Sequence, residues 1–346
     1  MLRVTQHFDG ARLLGPKLAI VNPPLWEIGH LGWFQERWCL RQRDDGSLGE
    51  SILPDADRLY DSSAVAHDTR WHLPLPSLAA TRAYLSSVLD RVLERTGKEP
   101  QNERLAYFVR LATLHEDMHA EAFCYTHQTL AYPEPEIGAR TEIPSGNSGP
   151  GPELAFAGGT LRMGVERGTQ EFFFDNEKWA HDVAVAPFRI SARPVSNGEY
   201  LEYVAQGGAA PRYWDKRDGE WLERRFDRWQ PLEPAAPVRH VDGNEAQAYC
   251  RWKGRRLPTE AEWQMAAPRM QWGEVWEWTS SDFAPFPGFS PDPYADYSQP
   301  WFRTHRVLRG ASFATPRRLV RPAFRNFYTA DRGDVFAGFR TCRIEP

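Results

Sequence analysis

The sequence predicts an α+β chain of 346 residues, a helical bundle followed by a domain of short strands and loops. Three observations carry that expectation. Apolar residues keep a helical period only over roughly the first 130 positions. A stretch rich in Pro, Gly and Ser, from Tyr132 to Glu153, then breaks the pattern. Beyond it come short alternating pieces between turn residues, in a chain holding 14 tryptophans, as expected of a loop-heavy core packed by indoles. The predicted plan is a helical domain over 1–132, a linker over 133–154 and a second domain over 155–346.

The first helix is predicted over 23–43, where Pro23-Pro24 suits a first helical turn. Leu25, Ile28 and Leu31 share a stripe with Trp26, His30 and Trp33 beside it, so His30 faces a core or its edge. Taken alone, His30 reads as a buried histidine bonded to a backbone carbonyl. Residues 44–76 carry little helix signal. A second helix follows Ser77 as N-cap and runs to about Thr96, before Gly97. A third spans about 102–130, with Leu105, Phe108, Leu111, Ala112, His115, His119, Ala122 and Thr126 along one stripe. Long helices with long connections predict an antiparallel bundle. In the second half, helices are expected at about 196–206, about 242–253 and briefly after Pro258-Thr259-Glu260.

His115 and His119 stand four apart. At about 100° per residue they lie roughly 40° apart on a helix, so both imidazoles leave one face. Two imidazoles on a rigid face make half of a first-row metal site. Glu121 lies roughly 240° round from His115 and does not complete it. By itself the spacing fits a metal site or a plain pair of surface or core histidines.

The totals bound the function. With 42 Lys and Arg against 46 Asp and Glu, the formal charge of -4 offers no attraction to nucleic acid or an anionic membrane. No apolar run reaches ~18 residues, which predicts no membrane span. Met1 to His7 holds no apolar signal core, and a cytoplasmic location is expected. Cys39, Cys124, Cys250 and Cys342 are scattered without C-x-x-C, which argues against a disulfide framework or a cysteine-rich zinc site.

The second half reads Phe156-Ala157-Gly158-Gly159-Thr160-Leu161-Arg162-Met163-Gly164, then Pro194-Val195-Ser196-Asn197-Gly198-Glu199-Tyr200. It continues with Arg256-Leu257-Pro258-Thr259-Glu260-Ala261-Glu262-Trp263, Gly273-Glu274-Val275-Trp276-Glu277-Trp278-Thr279, Val307-Leu308-Arg309-Gly310-Ala311-Ser312-Phe313 and Gly338-Phe339-Arg340. This series resembles the formylglycine-generating (sulfatase-modifying) enzyme domain, a C-type-lectin-like fold. The first half resembles the metal-binding four-helix DinB fold. The order of the two resembles the ergothioneine-synthase family of non-haem iron sulfoxide synthases. Formylglycine generation itself is rejected, because it needs a cysteine pair and Ala314-Thr315-Pro316-Arg317-Arg318 has none.

In that family an N-P-P-x-W-E-x-G-H motif supplies a third histidine, and the motif stands here as Asn22-Pro23-Pro24-Leu25-Trp26-Glu27-Ile28-Gly29-His30. The resemblance thus implies Fe(II) on His30, His115 and His119, with other positions open for substrate and O2. It implies small-molecule substrates, hercynine among them. Arg325-Asn326-Phe327-Tyr328 matches the family's R-N-(W/F) loop, which places Asn326 and Phe327, with Tyr328, Phe286 and Met118, around hercynine. Its trimethylammonium group needs an aromatic or weakly polar cage.

Three departures bear on the chalcogen donor. The branch using gamma-glutamylcysteine has paired arginines after the first helix, whereas His67-Asp68-Thr69-Arg70-Trp71-His72 has Arg70 alone. The family's active-site tyrosine lies near Y-P-G-F, which here is Phe286-Pro287-Gly288-Phe289, leaving Tyr328, Tyr294 or Tyr297 to supply a phenol. Met118 replaces a glutamine before the second helix-borne histidine. Asp61-Ser62-Ser63-Ala64-Val65-Ala66-His67 with Arg70-Trp71 resembles the branch that makes selenoneine from a selenosugar, 1-seleno-N-acetylglucosamine. In that reading Arg70, Trp71, Asp68 and His72, with Arg325, meet the donor, and Tyr328 is the catalytic phenol. The alternatives are a hercynine sulfoxide synthase using cysteine or gamma-glutamylcysteine, and a zinc-dependent DinB-type thiol transferase. His7, His181, His240 and His305 are expected to be structural or exposed, Glu223 to Arg228 a solvated face, and Trp276 and Trp278 core.

Overall fold

The computed structural model describes residues 5–43, 45–136, 151–169 and 171–344. Most of the expected linker and the first four residues lie outside these. The chain divides into two compact units, Met1–Glu136 and Ile137–Pro346.

The first unit is built on α1 (Pro24–Cys39), which starts on a proline whose missing N–H costs nothing there and is buried along nearly its whole length. A short α2 (Ala56–Tyr60) follows. Then come α3 (Leu78–Lys98), capped by the Ser77 side chain on Ala80 N–H, and α4 (Glu103–Leu130), capped by Asn102 on Leu105 N–H. Helix α1 packs against the other three. Two glycines of α1 allow this closeness. A Cβ at Gly29 would lie 2.3 Å from the Tyr60 ring, and one at Gly32 2.8 Å from Leu85. The segment before α2 has little helical period and is held by side chains instead. Arg41 forks onto Asp57 with two bonds of 2.8 Å, and the Trp33 indole N–H donates to the same carboxylate at 2.6 Å.

The second unit runs through β1 (Glu153–Phe156), β2 (Gly159–Met163), β3 (His181–Val185), β4 (Phe188–Ser191) and α5 (Asn197–Ala205). A meander of β5 (Trp214–Arg217), β6 (Glu220–Arg225) and β7 (Arg228–Pro231) leads to α6 (Gly243–Lys253), β8 (Arg255–Arg256) and α7 (Glu260–Ala266). The chain ends on β9 (Trp276–Asp282), β10 (Arg306–Gly310), β11 (Asn326–Tyr328), β12 (Ala337–Phe339) and β13 (Cys342–Arg343). Two four-stranded sheets, ordered β1-β4-β13-β8 and β11-β10-β9-β12, carry it. Each of the three helices starts on a capping box, built by Ser196 and Glu199, Asp242 and Glu245, and Thr259 and Glu262. Trp276 and Trp278 are core, as expected. Trp263 donates to Glu277 at 2.7 Å, and Arg340 pairs with the same buried carboxylate. The segment Glu223 to Arg228 is only in part the solvated face expected of it, since Asp227 and Arg228 are exposed while two other members turn inward. Glu223 is buried against Arg239 at 2.9 Å, and Phe226 is buried, because the meander folds them inward. Among the described residues no helix is long and apolar enough to cross a membrane.

Candidate metal centre

His30 on α1 and His115 and His119 on α4 come together. One ring nitrogen from each lies within 4.8 Å of the others, and this is the one such cluster of metal-type ligands among the described residues. Their rings are 4.5 to 5.2 Å apart between centroids. Glu121 is buried on the same helix but stands outside the group, as helix geometry requires.

Two of the three rings are oriented from behind. His30 Nδ1 lies 2.8 Å from the Tyr60 carbonyl, to which only an N–H can donate, so Nε2 carries the lone pair. His119 Nδ1 lies 2.7 Å from Glu27 Oε1, so its Nδ1–H is taken by the carboxylate and Nε2 is the nitrogen left for a ligand. His30 also stacks on Trp26, centroids 5.0 Å apart, and His115 lies flat on Phe34 at 3.6 Å. Burial, then the neighbouring His119, depresses His30 to about 3. The same two causes, with His30 added, take His115 well below the usual histidine range. Both rings therefore stay in the neutral form that ligates metal. His119 leaves 20% of its side chain accessible, so the centre can be reached.

The donor set fits a divalent first-row metal. It offers three imidazoles, an accepting carbonyl and carboxylate behind two of them, and no thiolate. Such donors accommodate iron or zinc. Sequence reasoning misses Glu27, Asn22 and Tyr60 as supports of the centre. The signal for two of them is present, since Asn22 and Glu27 stand inside the motif that ends on His30.

The residues expected at the donor behave differently. Arg70 is buried and committed. It donates to Asn22 Oδ1 at 2.7 Å and to the carbonyls of Val65 and Ser62 at 3.1 and 3.3 Å, and its Cζ lies 3.9 Å from the Trp26 ring centre. Burial lowers it to about 10. Trp71 turns its indole N–H to the carbonyls of Leu14 and Gly15, at 3.1 and 3.3 Å. Asp68 and His72 are exposed. Met118, half-buried on α4, precedes His119.

In the second unit, Arg325 is wholly buried and forks onto Glu260 with two bonds of 3.0 Å. It also donates to the Asn176 and Ala284 carbonyls, at 2.9 and 3.0 Å. It is a scaffold arginine, not the donor contact expected, because its planar fork matches the Glu260 carboxylate. Phe286, expected at hercynine, is buried under Arg325, whose Cζ is 4.1 Å from its ring centre. In β11, Asn326 and Tyr328 point to one face and Phe327 to the other, where it stacks on Phe283 at 4.0 Å. Tyr297 meets Phe327 edge-on at 5.7 Å. Of the histidines expected to be structural or exposed, His240 is buried, while His181 packs on Phe286.

Residues 5–122 match the DinB superfamily, and residues 147–271 and 268–344 match the sulfatase-modifying factor enzyme 1-like domain. Fold and site together define the class: a DinB-type helical unit bearing a three-histidine centre, followed by a sulfatase-modifying-factor-like domain. The hercynine oxygenase of Mycolicibacterium thermoresistibile is 32% identical over 404 residues, covering 96% of this chain and 90% of that protein. That of Mycobacterium tuberculosis is 32% identical over 403, covering 96% and 93%. Ergothioneine biosynthesis protein 1 of Schizosaccharomyces pombe is 29% identical over 223, covering 51% of this chain and 29% of that one. The chain belongs to the hercynine oxygenase family.

Proposed function

We propose that this protein is an O2-dependent, non-haem Fe(II) oxidoreductase that joins a chalcogen atom to the imidazole carbon of hercynine. The observation that carries the reading is the convergence of His30, His115 and His119 in a chain matched over 96% of its length by proteins named hercynine oxygenase. Iron, when bound there, supplies the one-electron chemistry that O2 requires. The chain's own part is positional. The Tyr60 carbonyl and Glu27 hold two imidazoles with Nε2 free, burial keeps His30 and His115 unprotonated, and Phe34 walls one side. Asn326 is the amide assigned to hercynine, and Phe327 offers an aromatic face to its trimethylammonium group. Tyr328 is the phenol assigned to proton transfer, in place of the tyrosine missing at Phe286.

For the donor, the relatives favour a thiol, cysteine or gamma-glutamylcysteine, as in ergothioneine synthesis. A second reading, a selenosugar in selenoneine synthesis, rests on the state of Arg70. Its guanidinium already serves Asn22 and two carbonyls, which withdraws it from a peptide's carboxylates and equally from the selenosugar, so that a sugar would be met by Trp71, Asp68 and His72 instead. The test is one competition. Protein loaded anaerobically with Fe(II) receives hercynine, O2 and equal amounts of cysteine, gamma-glutamylcysteine and 1-seleno-N-acetylglucosamine, and the products are read by mass spectrometry. Sulfur-only products establish the thiol reading, and selenium-only products establish the selenosugar one. Absence of any hercynine adduct and of O2 uptake overturns both.

A further inference from the structure

We propose that Arg70 is a positioning residue of the metal centre, holding Asn22 and Glu27 behind His119 and Trp26 behind His30. The inference rests on the three-histidine metal reading and extends it to residues that touch no ligand atom.

Its basis is a continuous set of contacts. Arg70 Nη1 donates to Asn22 Oδ1 at 2.7 Å. A guanidinium only donates, so this bond decides which way the amide lies and turns Asn22 Nδ2 toward Glu27 Oε2, 3.4 Å away. The other oxygen of Glu27 accepts from His119 at 2.7 Å. The guanidinium also covers Trp26, Cζ to ring centre 3.9 Å, and the same indole carries His30, stacked nearly parallel at an interplanar angle of 11°. Trp26 is pinned in turn by its N–H on the Leu59 carbonyl at 2.6 Å. Finally, Nη2 of Arg70 gathers the Ser62 and Val65 carbonyls of the loop that follows Tyr60, whose own carbonyl orients His30.

One planar cation thus reaches both helices' ligands by separate routes. A lysine cannot do this, because a point ammonium has neither the fork for Asn22 and the two carbonyls nor a face for the indole. Partners behind metal-ligating histidines typically change affinity about 10- to 100-fold when removed.

The experiment measures Co(II) binding to full-length wild type, Arg70→Lys, Arg70→Met and Asn22→Ala by competition with a chelator. The d–d spectrum of each loaded protein and the thermal midpoint of each metal-free protein are recorded alongside. Expected are about 10- to 100-fold weaker Co(II) binding for both Arg70 variants, about 10-fold weaker for Asn22→Ala, and altered d–d bands in all three. Asn22→Ala keeps the test decisive if the Arg70 variants do not fold, since it breaks the route to Glu27 while leaving Arg70 its loop carbonyls. Wild-type affinity and spectrum in folded variants, with only the metal-free midpoint lowered, overturn the inference and leave Arg70 a fold residue. Failure of the wild type to bind Co(II) instead sinks the metal centre itself.

Discussion

Replacing Gly29 by alanine isolates the geometry that brings α2 against the first ligand helix. The new Cβ would stand 2.3 Å from Cε1 and Cζ of Tyr60 and 2.5 Å from its Oη. Ordinary carbon contacts lie at about 3.5 to 4.0 Å, so the ring must retreat by more than about 1 Å. Tyr60 is fully buried and has no open side to retreat into. Overpacking of this kind costs about 1–3 kcal/mol, and the gain from alanine's helix propensity returns up to about 1. With that gain realised, the net expectation is a loss of up to about 2 kcal/mol. Moving Tyr60 also moves its carbonyl off His30 Nδ1, so metal affinity should fall about 10-fold or more. Gly97 is the internal control, since it lies in the last turn of α3 and an added methyl there would meet nothing within 4 Å. At that position the same substitution should stabilise by up to about 1 kcal/mol. Urea denaturation of the metal-free proteins and Co(II) titration of the folded ones read both effects. Gly29→Ala as stable as wild type, with unchanged affinity, refutes the close-approach argument.

Three further outcomes are expected. His119→Ala removes one of three ligands, so it should lose stoichiometric metal and the chelator-sensitive part of the thermal midpoint; at metal concentrations of about 100 times Kd that part is about 2.7 kcal/mol. Native zinc in the wild type with no O2 uptake would instead favour the thiol-transferase alternative. Arg325→Met strands Glu260 beside a buried apolar group and should destabilise by about 3–5 kcal/mol in chemical denaturation. Glu245 is raised from 4.5 to about 7 by burial, so the folded protein holds its proton over that range while the unfolded chain releases it. Stability should therefore decline by roughly 3 kcal/mol as pH rises from 4.5 through 7, and Glu245→Gln, which can still accept from Asp242 N–H, should flatten the decline.

The helices α1, α3 and α4 are legible in the sequence because they announce themselves by a proline start, a Ser cap or a long apolar stripe. Helix α2 is not, since five residues give no period and Arg41 and Trp33 hold its start from a distance. His115 and His119 can be paired from spacing, but His30 enters only through resemblance to a family motif. Its two readings turn out to be compatible: one ring nitrogen does bond a backbone carbonyl, and that bond is what frees the other. The arginines show where sequence reasoning stops. In the sequence Arg70 and Arg325 look like hands for a substrate, and in the structure both are buried and turn their terminal nitrogens to partners inside the protein. Nothing local to an arginine tells whether a carboxylate or carbonyl from a distant segment will meet it. Phe286 under Arg325 is the same case.

The ligands are split between the first and last helices of one unit, and that split sets an order of events. His30 is made early and cannot be joined by His115 and His119 until α4 has been synthesised and has docked on α1. Helix α1 carries one of the three histidines, so on the metal reading a nascent chain would offer only the pair on α4 until the helices close. On the proposed metal reading, loading would be a readout of completed tertiary structure in the first unit, and a chain that misfolds in its first 119 residues would bring no three-histidine site together.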